Sequence, residues 1–372
     1  MKLVCDRIAL SDALALASSV VPTRTTAAAL SCLKFVARDG LLTISATDTE
    51  IGISTPVASV SISDEGEALI PADKLNQIVR ASEDSTLSID VNAKNVAVIK
   101  GQDSTFKIFG HEPREFPGVQ AFPASKIEFE TTAGMLGRLI HRTLFATAVD
   151  NSRYAINGVL VDRKGKKVRL VATDGRRLAV AKGECTRAGD GDAPQCIVPT
   201  KALNVLGKLL SDPDDPVAVA RQDNLLIVRV GEGADAATLA TRLVEGSFPP
   251  FEDVIPKEHD KRVTFDAGEL TSAVRRAEIL TNEESKGIRM AFGATQLVLS
   301  SRAPELGEAE ITVDVEKYEG EPMEIGFNPK FIMDVLKVID SPQVIIELKA
   351  PNKPGVIKAG NDFTYVVMPV SL

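Results

Sequence analysis

Three stretches of the chain decide how its fold is interpreted: LIPADKLNQIVRA (69–81), IVPTKALNVLGKLL (197–210) and GFNPKFIMDVLKVI (326–339). Each stretch predicts a short apolar strand followed by an amphipathic helix, with Pro or Asn at a position that suits a helix start. Those residues, Pro71, Pro199 and Asn328, are 128 and 129 residues apart. Such regular spacing predicts one domain that occurs three times in tandem.

The region before each of these helices also follows one plan. Each copy opens with a strand that leads into a first amphipathic helix, as in KLVCDRIALSDALALASSV (2–20), KIEFETTAGMLGRLIHRTL (126–144) and RVTFDAGELTSAVRRAEIL (262–280). Strand pairs with β-branched alternation lie between the two helices, and each copy closes with another β run. One copy therefore reads β-α-β-β-β-α-β-β-β, an antiparallel α+β domain rather than a parallel βαβ array.

Two Pro-rich, polar stretches separate the copies, one near 122–125 and the other near 256–259. Stretches of this composition are typical of linkers between domains. The predicted domains are 1–124, 125–257 and 258–372.

The composition excludes several classes of protein. The chain has 372 residues, 44% of them hydrophobic, and a formal net charge of −8. No stretch predicts a signal peptide or a membrane span, so we expect a cytoplasmic protein. The four cysteines include no C-x-x-C pair and the three His residues are scattered, so neither a metal site nor a cofactor is predicted.

Positive charge is concentrated on the predicted helices. The six helices together carry a net charge of +4, which leaves −12 on the rest of the chain. Any single helix could carry Lys and Arg only for solubility. Taken together, the six suggest a basic surface that attracts phosphates on a molecule that is otherwise acidic.

Five segments, taken in order, resemble the bacterial β sliding clamp family. They are RYAINGVLV (153–161), VATDGRRLAV (171–180), LVEGSFPPFEDVIP (243–256), EIGFNPKFIMDVL (324–336) and YVVMPVSL (365–372). The resemblance covers the whole chain and implies three tandem DNA-clamp domains that dimerise into a closed ring around duplex DNA. Such a protein is not an enzyme; it is a processivity factor that tethers DNA polymerase III to its template.

The resemblance also implies partners that bind through short linear peptides: the α subunit of the replicative polymerase, the clamp loader, other polymerases and repair proteins. Double-stranded DNA would be held without regard to sequence, and no membrane is involved. The implied peptide groove comprises Ile156, Thr173, Gly175, Arg176, Arg177, Leu178, Pro249, Val254, Asn328, Phe331, Val366, Val367, Met368, Pro369, Val370 and Leu372. Aliphatic anchors and a flexible Met suit a small apolar pocket, and Asn328 with Arg177 could hold polar groups of a peptide.

Some positions depart from the family pattern. Asp253 stands where a basic groove residue is common, Val370-Ser371-Leu372 replaces a bulkier C-terminus, and Asp73 replaces a possible phosphate contact. Partner preference is therefore expected to differ from that of other members. Alternatively, Leu178, Val366 and Val367 could be ordinary core residues.

Two further surfaces are implied. By position in the family, Arg24, Arg80, Tyr154 and Lys201 are expected to face DNA, and helix charge alone adds Arg138 and Arg142. Phe106 of the first domain and Ile279 with Leu280 of the third match positions at the homodimer interface.

Two other functions fit parts of the sequence. An enzyme could be imagined from Thr173-Asp174-Gly175-Arg176-Arg177, read as a carboxylate and cations around a phosphate, but no nucleophile or Gly-rich phosphate loop accompanies it. Thr47-Asp48 occupies the same place in the first copy, which favours a structural turn. A scaffold of three peptide-binding domains without DNA is also compatible with composition, although the helix charges argue against it.

Overall fold

The computed structural model describes residues 1–149, 155–189, 191–281 and 287–371. Within them it confirms an α+β fold of three tandem copies with antiparallel sheets. Each copy has the order β-α-β-β-β-β-β-α-β-β-β. The predicted count of three strands between the helices is wrong, because each copy has five there. Every described helix is too short or too polar to span a bilayer.

The elements have the same order in all three copies. The first copy comprises β1 (Lys2–Asp6), α1 (Arg7–Ser18), β2 (Cys32–Arg38), β3 (Leu41–Thr47), β4 (Ile51–Val57), β5 (Val60–Asp64), β6 (Gly66–Pro71), α2 (Ala72–Ala81), β7 (Thr86–Val91), β8 (Val96–Lys100) and β9 (Thr105–Phe109). The second comprises β10 (Ile127–Thr132), α3 (Ala133–His141), β11 (Gly158–Lys164), β12 (Lys167–Thr173), β13 (Arg177–Glu184), β14 (Arg187–Ala188), β15 (Cys196–Pro199), α4 (Thr200–Leu209), β16 (Pro216–Gln222), β17 (Leu225–Val230) and β18 (Ala237–Arg242). The third comprises β19 (Lys261–Asp266), α5 (Ala267–Glu278), β20 (Ile288–Phe292), β21 (Gln296–Ala303), β22 (Gly307–Asp314), β23 (Lys317–Glu319), β24 (Met323–Phe327), α6 (Pro329–Leu336), β25 (Gln343–Leu348), β26 (Gly355–Ala359) and β27 (Phe363–Val367).

A short polar side chain precedes the first helix of each copy. Asp6 and Asp266 each accept a hydrogen bond at 2.8 Å from the backbone amide three residues later, and Thr132 accepts one at 3.3 Å. Each bond satisfies an amide that the helix leaves without a partner, which typically contributes about 1 kcal/mol. The helices then bury one stripe of residues, as α1 does with Leu10, Ala13, Leu14 and Ala17.

The chain forms two compact units, and the division runs through the second copy. The first unit is Met1–Gly137, Cys185–Gly191 and Lys201–Leu243, with a nine-stranded sheet β14-β10-β16-β17-β18-β4-β3-β2-β6 and a five-stranded sheet β5-β1-β7-β8-β9. The second unit is Arg138–Glu184, Asp192–Thr200 and Val244–Leu372, with a nine-stranded sheet β15-β11-β12-β13-β27-β26-β25-β19-β23 and a four-stranded sheet β22-β21-β20-β24. Strands of the second copy thus extend the sheets of both other copies.

Candidate functional site

An apolar cavity of about 320 Å³ lies within the second unit. The end of β12, the start of β13 and the end of β27 form one side of it, and the 3₁₀ turn Phe251–Val254 forms the other. Its lining residues are Ile156, Thr173, Gly175, Arg176, Arg177, Leu178, Pro249, Pro250, Phe251, Asp253, Val254, Val366 and Met368. Ten of the sixteen residues predicted for the peptide groove therefore surround one cavity; that a peptide binds there stays a prediction.

The other groove candidates lie outside this lining. Asn328, Phe331, Val367, Pro369 and Val370 do not line the cavity, and Leu372 is outside the described residues. The Asn328 side chain accepts a hydrogen bond from the Lys330 amide at 3.0 Å and so caps α6. The lining also includes Pro250 and Phe251, which the sequence interpretation did not name.

The loop between β12 and β13 is a tight turn held by two side chains. Thr173 Oγ1 donates to the Arg177 carbonyl at 2.5 Å and accepts from the Gly175 amide at 3.1 Å. Asp174 Oδ1 accepts from the amides of Arg176 and Arg177 at 2.9 and 3.0 Å. These bonds fix the edge of the cavity without help from a ligand.

The first copy contains the same turn between β3 and β4. Thr47 Oγ1 donates to the Ile51 carbonyl at 2.9 Å and accepts from the Thr49 amide at 3.0 Å, while Asp48 Oδ1 accepts two backbone amides at 3.0 and 2.7 Å. The backbone matches too, since Thr49 has a φ of 79° and Gly175 a φ of 85°. The Thr-Asp turn is thus a structural element shared by the first two copies, and the interpretation of residues 173–177 as a phosphate-binding active site loses its basis.

Arg177 is an internal support of the cavity wall. It is 8% exposed, and its guanidinium donates to Asp174 Oδ2 at 3.0 Å, to Asp334 Oδ2 at 2.7 Å and to the Phe145 carbonyl at 2.8 Å. The guanidinium also lies 4.5 Å from the centre of the Phe331 ring. Burial alone would lower the pKa of Arg177, but the hydrogen bond to Asp334 and the nearby charges outweigh it and raise the pKa. Its donors therefore serve the protein's own structure.

Four of the residues predicted to face DNA are exposed: Arg24, Arg80, Arg138 and Lys201. Lys201 has 51% of its side chain exposed and forms an ion pair with Asp48 Oδ2. Arg24, Arg80 and Lys201 belong to the first unit and Arg138 to the second. Their exposure makes each accessible to phosphate, although Lys201 would have to exchange its ion pair with Asp48, and contact with DNA stays a prediction.

The prediction that Arg142 faces DNA is wrong. Arg142 is only 6% exposed, and its guanidinium forms ion pairs with Asp340 at 3.3 Å and with Asp362 at 2.9 Å. The Arg142 amide still bonds to the Arg138 carbonyl at 3.0 Å, so the difference between the two arginines comes from Asp340 and Asp362, which hold the Arg142 guanidinium inside the second unit. Tyr154, the remaining candidate, lies outside the described residues.

The predicted dimer-interface residues lie on partly exposed surfaces. Phe106 is 39% exposed on β9, an edge strand of the five-stranded sheet, and Ile279 is 73% exposed after the end of α5. Leu280 is half-buried beside Gly307, at the start of β22, which is an edge strand of the four-stranded sheet. Edge strands with exposed apolar neighbours are suited to pairing with another chain.

The described residues contain no group of His, Cys, Asp or Glu side chains that could hold a metal ion. All four cysteines are buried. Burial, with a smaller contribution from Asp6, raises the pKa of Cys5 to about 12, so this thiol stays protonated near neutral pH.

Comparison with known proteins identifies the family. The N-terminal, central and C-terminal domains of the DNA polymerase III beta subunit match residues 1–120, 131–250 and 252–371. The beta sliding clamps of Pseudomonas putida and Escherichia coli K12 are 35% and 32% identical to the chain over 100% of both proteins. The crystal structure of the Pseudomonas aeruginosa sliding clamp bound to griselimycin has a TM-score of 0.92 and 34% identity, with 100% of both chains covered. The chain therefore belongs to the beta sliding clamp family, the DNA polymerase III beta subunits, which are non-catalytic processivity factors of DNA replication.

Proposed function

We propose that the chain forms a homodimeric ring around double-stranded DNA and holds the replicative polymerase through a short linear peptide bound in the apolar cavity. The cavity is the observation that carries this proposal. Leu178 and Val366 supply aliphatic walls, while Met368 and Val254 are 43% and 53% exposed at the lining. Large apolar side chains left exposed around a preformed pocket are typical of peptide recognition.

The proposed partners share this one cavity. They are the α subunit of the polymerase, the clamp loader, other polymerases and repair proteins, so their peptides should compete. A fluorescein-labelled peptide derived from the polymerase is titrated with the protein by fluorescence anisotropy. Val254→Asp should weaken binding at least tenfold, since it places a charge against an apolar anchor worth about 2 kcal/mol. Val149→Asp, at a residue 97% exposed and absent from the cavity lining, is the matched control.

The ring is proposed from the edge strands and the partly exposed residues Phe106, Ile279 and Leu280. We further propose domains 1–124, 125–257 and 258–372, and a cytoplasmic location. Retention on DNA is the direct test: the loaded protein should stay on circular DNA and slide off after linearisation. A protein that binds the peptide but is not retained on circular DNA would instead be a scaffold.

A further inference from the structure

One face of the nine-stranded sheet in the second unit changes from apolar to basic along its strands. Side chains two residues apart on a strand share a face, as do residues directly opposite on paired strands. On β12 and β13 the successive opposite pairs on this face are Thr173 with Leu178, Val171 with Val180, Arg169 with Lys182, and Lys167 with Glu184. The first two pairs border or underlie the apolar cavity, so the charged pairs continue the same surface.

Two cavities of about 740 and 460 Å³ lie over the charged end and share Arg169, Lys182 and Asn361. Their exposed lysines are Lys164, Lys167, Lys182 and Lys257, and the surface they line is called the basic groove below. Within the part of the chain that the structure describes, none of these lysines forms an ion pair. Arg138 also lines the larger cavity, is exposed and has no ion pair among the described residues, so the groove presents five positive charges without an ion-pair partner in a chain whose net charge is −8.

Most carboxylates beside the basic groove are already engaged. Asp162 and Glu252 accept hydrogen bonds from Arg169 at 2.9 and 2.8 Å, and Asp362 pairs with Arg142 at 2.9 Å. Glu184 is the one lining carboxylate for which no such partner is found among the described residues. This excess of positive charge favours an anionic occupant, because each lysine can exchange its bound water for a carboxylate of the occupant at little cost in free energy.

The basic groove is continuous with the apolar cavity through one residue. Phe251 lines both the apolar cavity and the smaller basic cavity, and its ring lies 5.4 Å from the Arg169 guanidinium. Leu178 and Lys182 are four residues apart on β13, a distance of roughly 13 Å along a strand. About four further residues of an extended peptide would cover it.

We propose that the basic groove binds an acidic segment flanking the apolar anchor of a partner peptide. The inference rests on the proposed function of the apolar cavity. A peptide is favoured over a nucleic acid because Arg169, the arginine shared by the two cavities, is committed to Asp162 and Glu252, which leaves Arg138 as the one described arginine of the lining that could form a fork on phosphate. Lysines act as point charges and tolerate the irregular spacing of carboxylates along an extended chain.

The test extends the polymerase-derived peptide by six residues, either Glu or alternating Gly and Ser, at the N-terminus or at the C-terminus. Binding to the intact protein is measured by fluorescence anisotropy. At low salt, the acidic extension at one end should tighten binding about tenfold over the neutral extension, and about 0.5 M salt should remove the gain. The double variant Lys167→Glu, Lys182→Glu should abolish the gain. The control Lys94→Glu, Lys126→Glu reverses two exposed lysines of the first unit and should keep it.

Each other outcome is decisive. Equal affinity for acidic and neutral extensions at both ends overturns the inference, as does a gain that survives in Lys167→Glu, Lys182→Glu. A single-stranded oligonucleotide that displaces the acidic extension, and loses its own binding in that variant, would assign the groove to nucleic acid instead. If the unextended peptide does not bind, the proposed function fails; if it binds and the extension adds nothing, only the inference fails.

Discussion

Arg138 and Arg142 stand four positions apart, yet their surroundings give them different roles. Arg142 packs over the Phe363 ring at 5.5 Å and pairs with Asp340 and Asp362, while Arg138 is exposed. Arg142→Ala should lower the free energy of unfolding by about 2 kcal/mol, because it removes both ion pairs and the packing on Phe363. Urea unfolding followed by circular dichroism measures this. Arg138→Ala, the control, should stay within about 0.5 kcal/mol of the unmodified protein; equal losses for the two would contradict the distinction.

The repeated Thr-Asp turn offers a matched pair of substitutions. Asp174 and Asp48 each accept two backbone amides in equivalent turns, but only the Asp174 turn lies at the apolar cavity. Asp174→Ala should weaken peptide binding about tenfold, since it frees the turn and one donor of Arg177. Asp48→Ala should leave the anisotropy titration unchanged. Equal effects of the two substitutions would mean that the turn does not shape the binding site.

Single residues also show where sequence reasoning succeeded and failed. Ten of the residues that the family resemblance assigned to the groove line one cavity. A motif that matches a known family also indicates where each of its residues lies in the fold of that family. Helix charge misassigned Arg142, since a count of charges ignores direction and its acidic partners are 198 and 220 residues away in the chain. Phe251 was not named because a Phe in a Pro-rich connecting segment does not reveal what it packs against.

At the scale of elements, the helices were predictable and part of the sheets was not. All six helices follow from apolar periodicity and local start signals that need no distant partner. The predicted plan has two strands too few between the helices of each copy, and strands such as β14, with only two residues, are too short to show alternation. The pairings β4 with β18 and β13 with β27 join different copies, and no local pattern specifies such partners.

The edge strands set the prediction for assembly. Ile279→Ala with Leu280→Ala should convert the proposed dimer into a folded monomer, because the loss of apolar interface area is worth roughly 2–4 kcal/mol per interface. Analytical ultracentrifugation at micromolar concentration measures the state, and circular dichroism checks the fold. Leu41→Ala, at a residue 39% exposed on β3, should remain dimeric. An unchanged dimer in the double variant would remove these residues from the interface.

At the scale of the whole molecule, the DNA contacts should be numerous, weak and independent of sequence. Arg24→Ala with Lys201→Ala should lower the affinity for linear DNA and reduce the steepness of log K against log salt by about 2. The variant makes two fewer phosphate contacts, so its binding releases fewer counterions from the DNA. Binding at several salt concentrations measures the slope, and ultracentrifugation checks that dimerisation survives. Lys94→Ala with Lys126→Ala is the charge-matched control. A strong preference for one duplex sequence would contradict this view of the protein.

The C-terminal run ties the apolar cavity to the rest of the second unit. Met368 donates from its amide to the Arg176 carbonyl at 2.9 Å, and Val370 donates to the Gly326 carbonyl at 2.9 Å. Met368 lines the cavity, so deletion of residues 368–372 removes part of the apolar wall that would contact a peptide. Strand β27 ends at Val367 and therefore keeps its pairing with β13.

This deletion should weaken binding of the polymerase-derived peptide at least tenfold, because a buried apolar anchor contributes about 2 kcal/mol or more. The dimer should persist, since the deleted residues are distinct from Phe106, Ile279 and Leu280. Anisotropy and sedimentation are measured on the same sample, with the Ser371→Ala variant as a control that keeps the chain at full length. A truncated protein that stays dimeric and binds the peptide with unchanged affinity would show that residues 368–372 do not form a wall of the binding site, and the peptide would then have to be held elsewhere on the clamp.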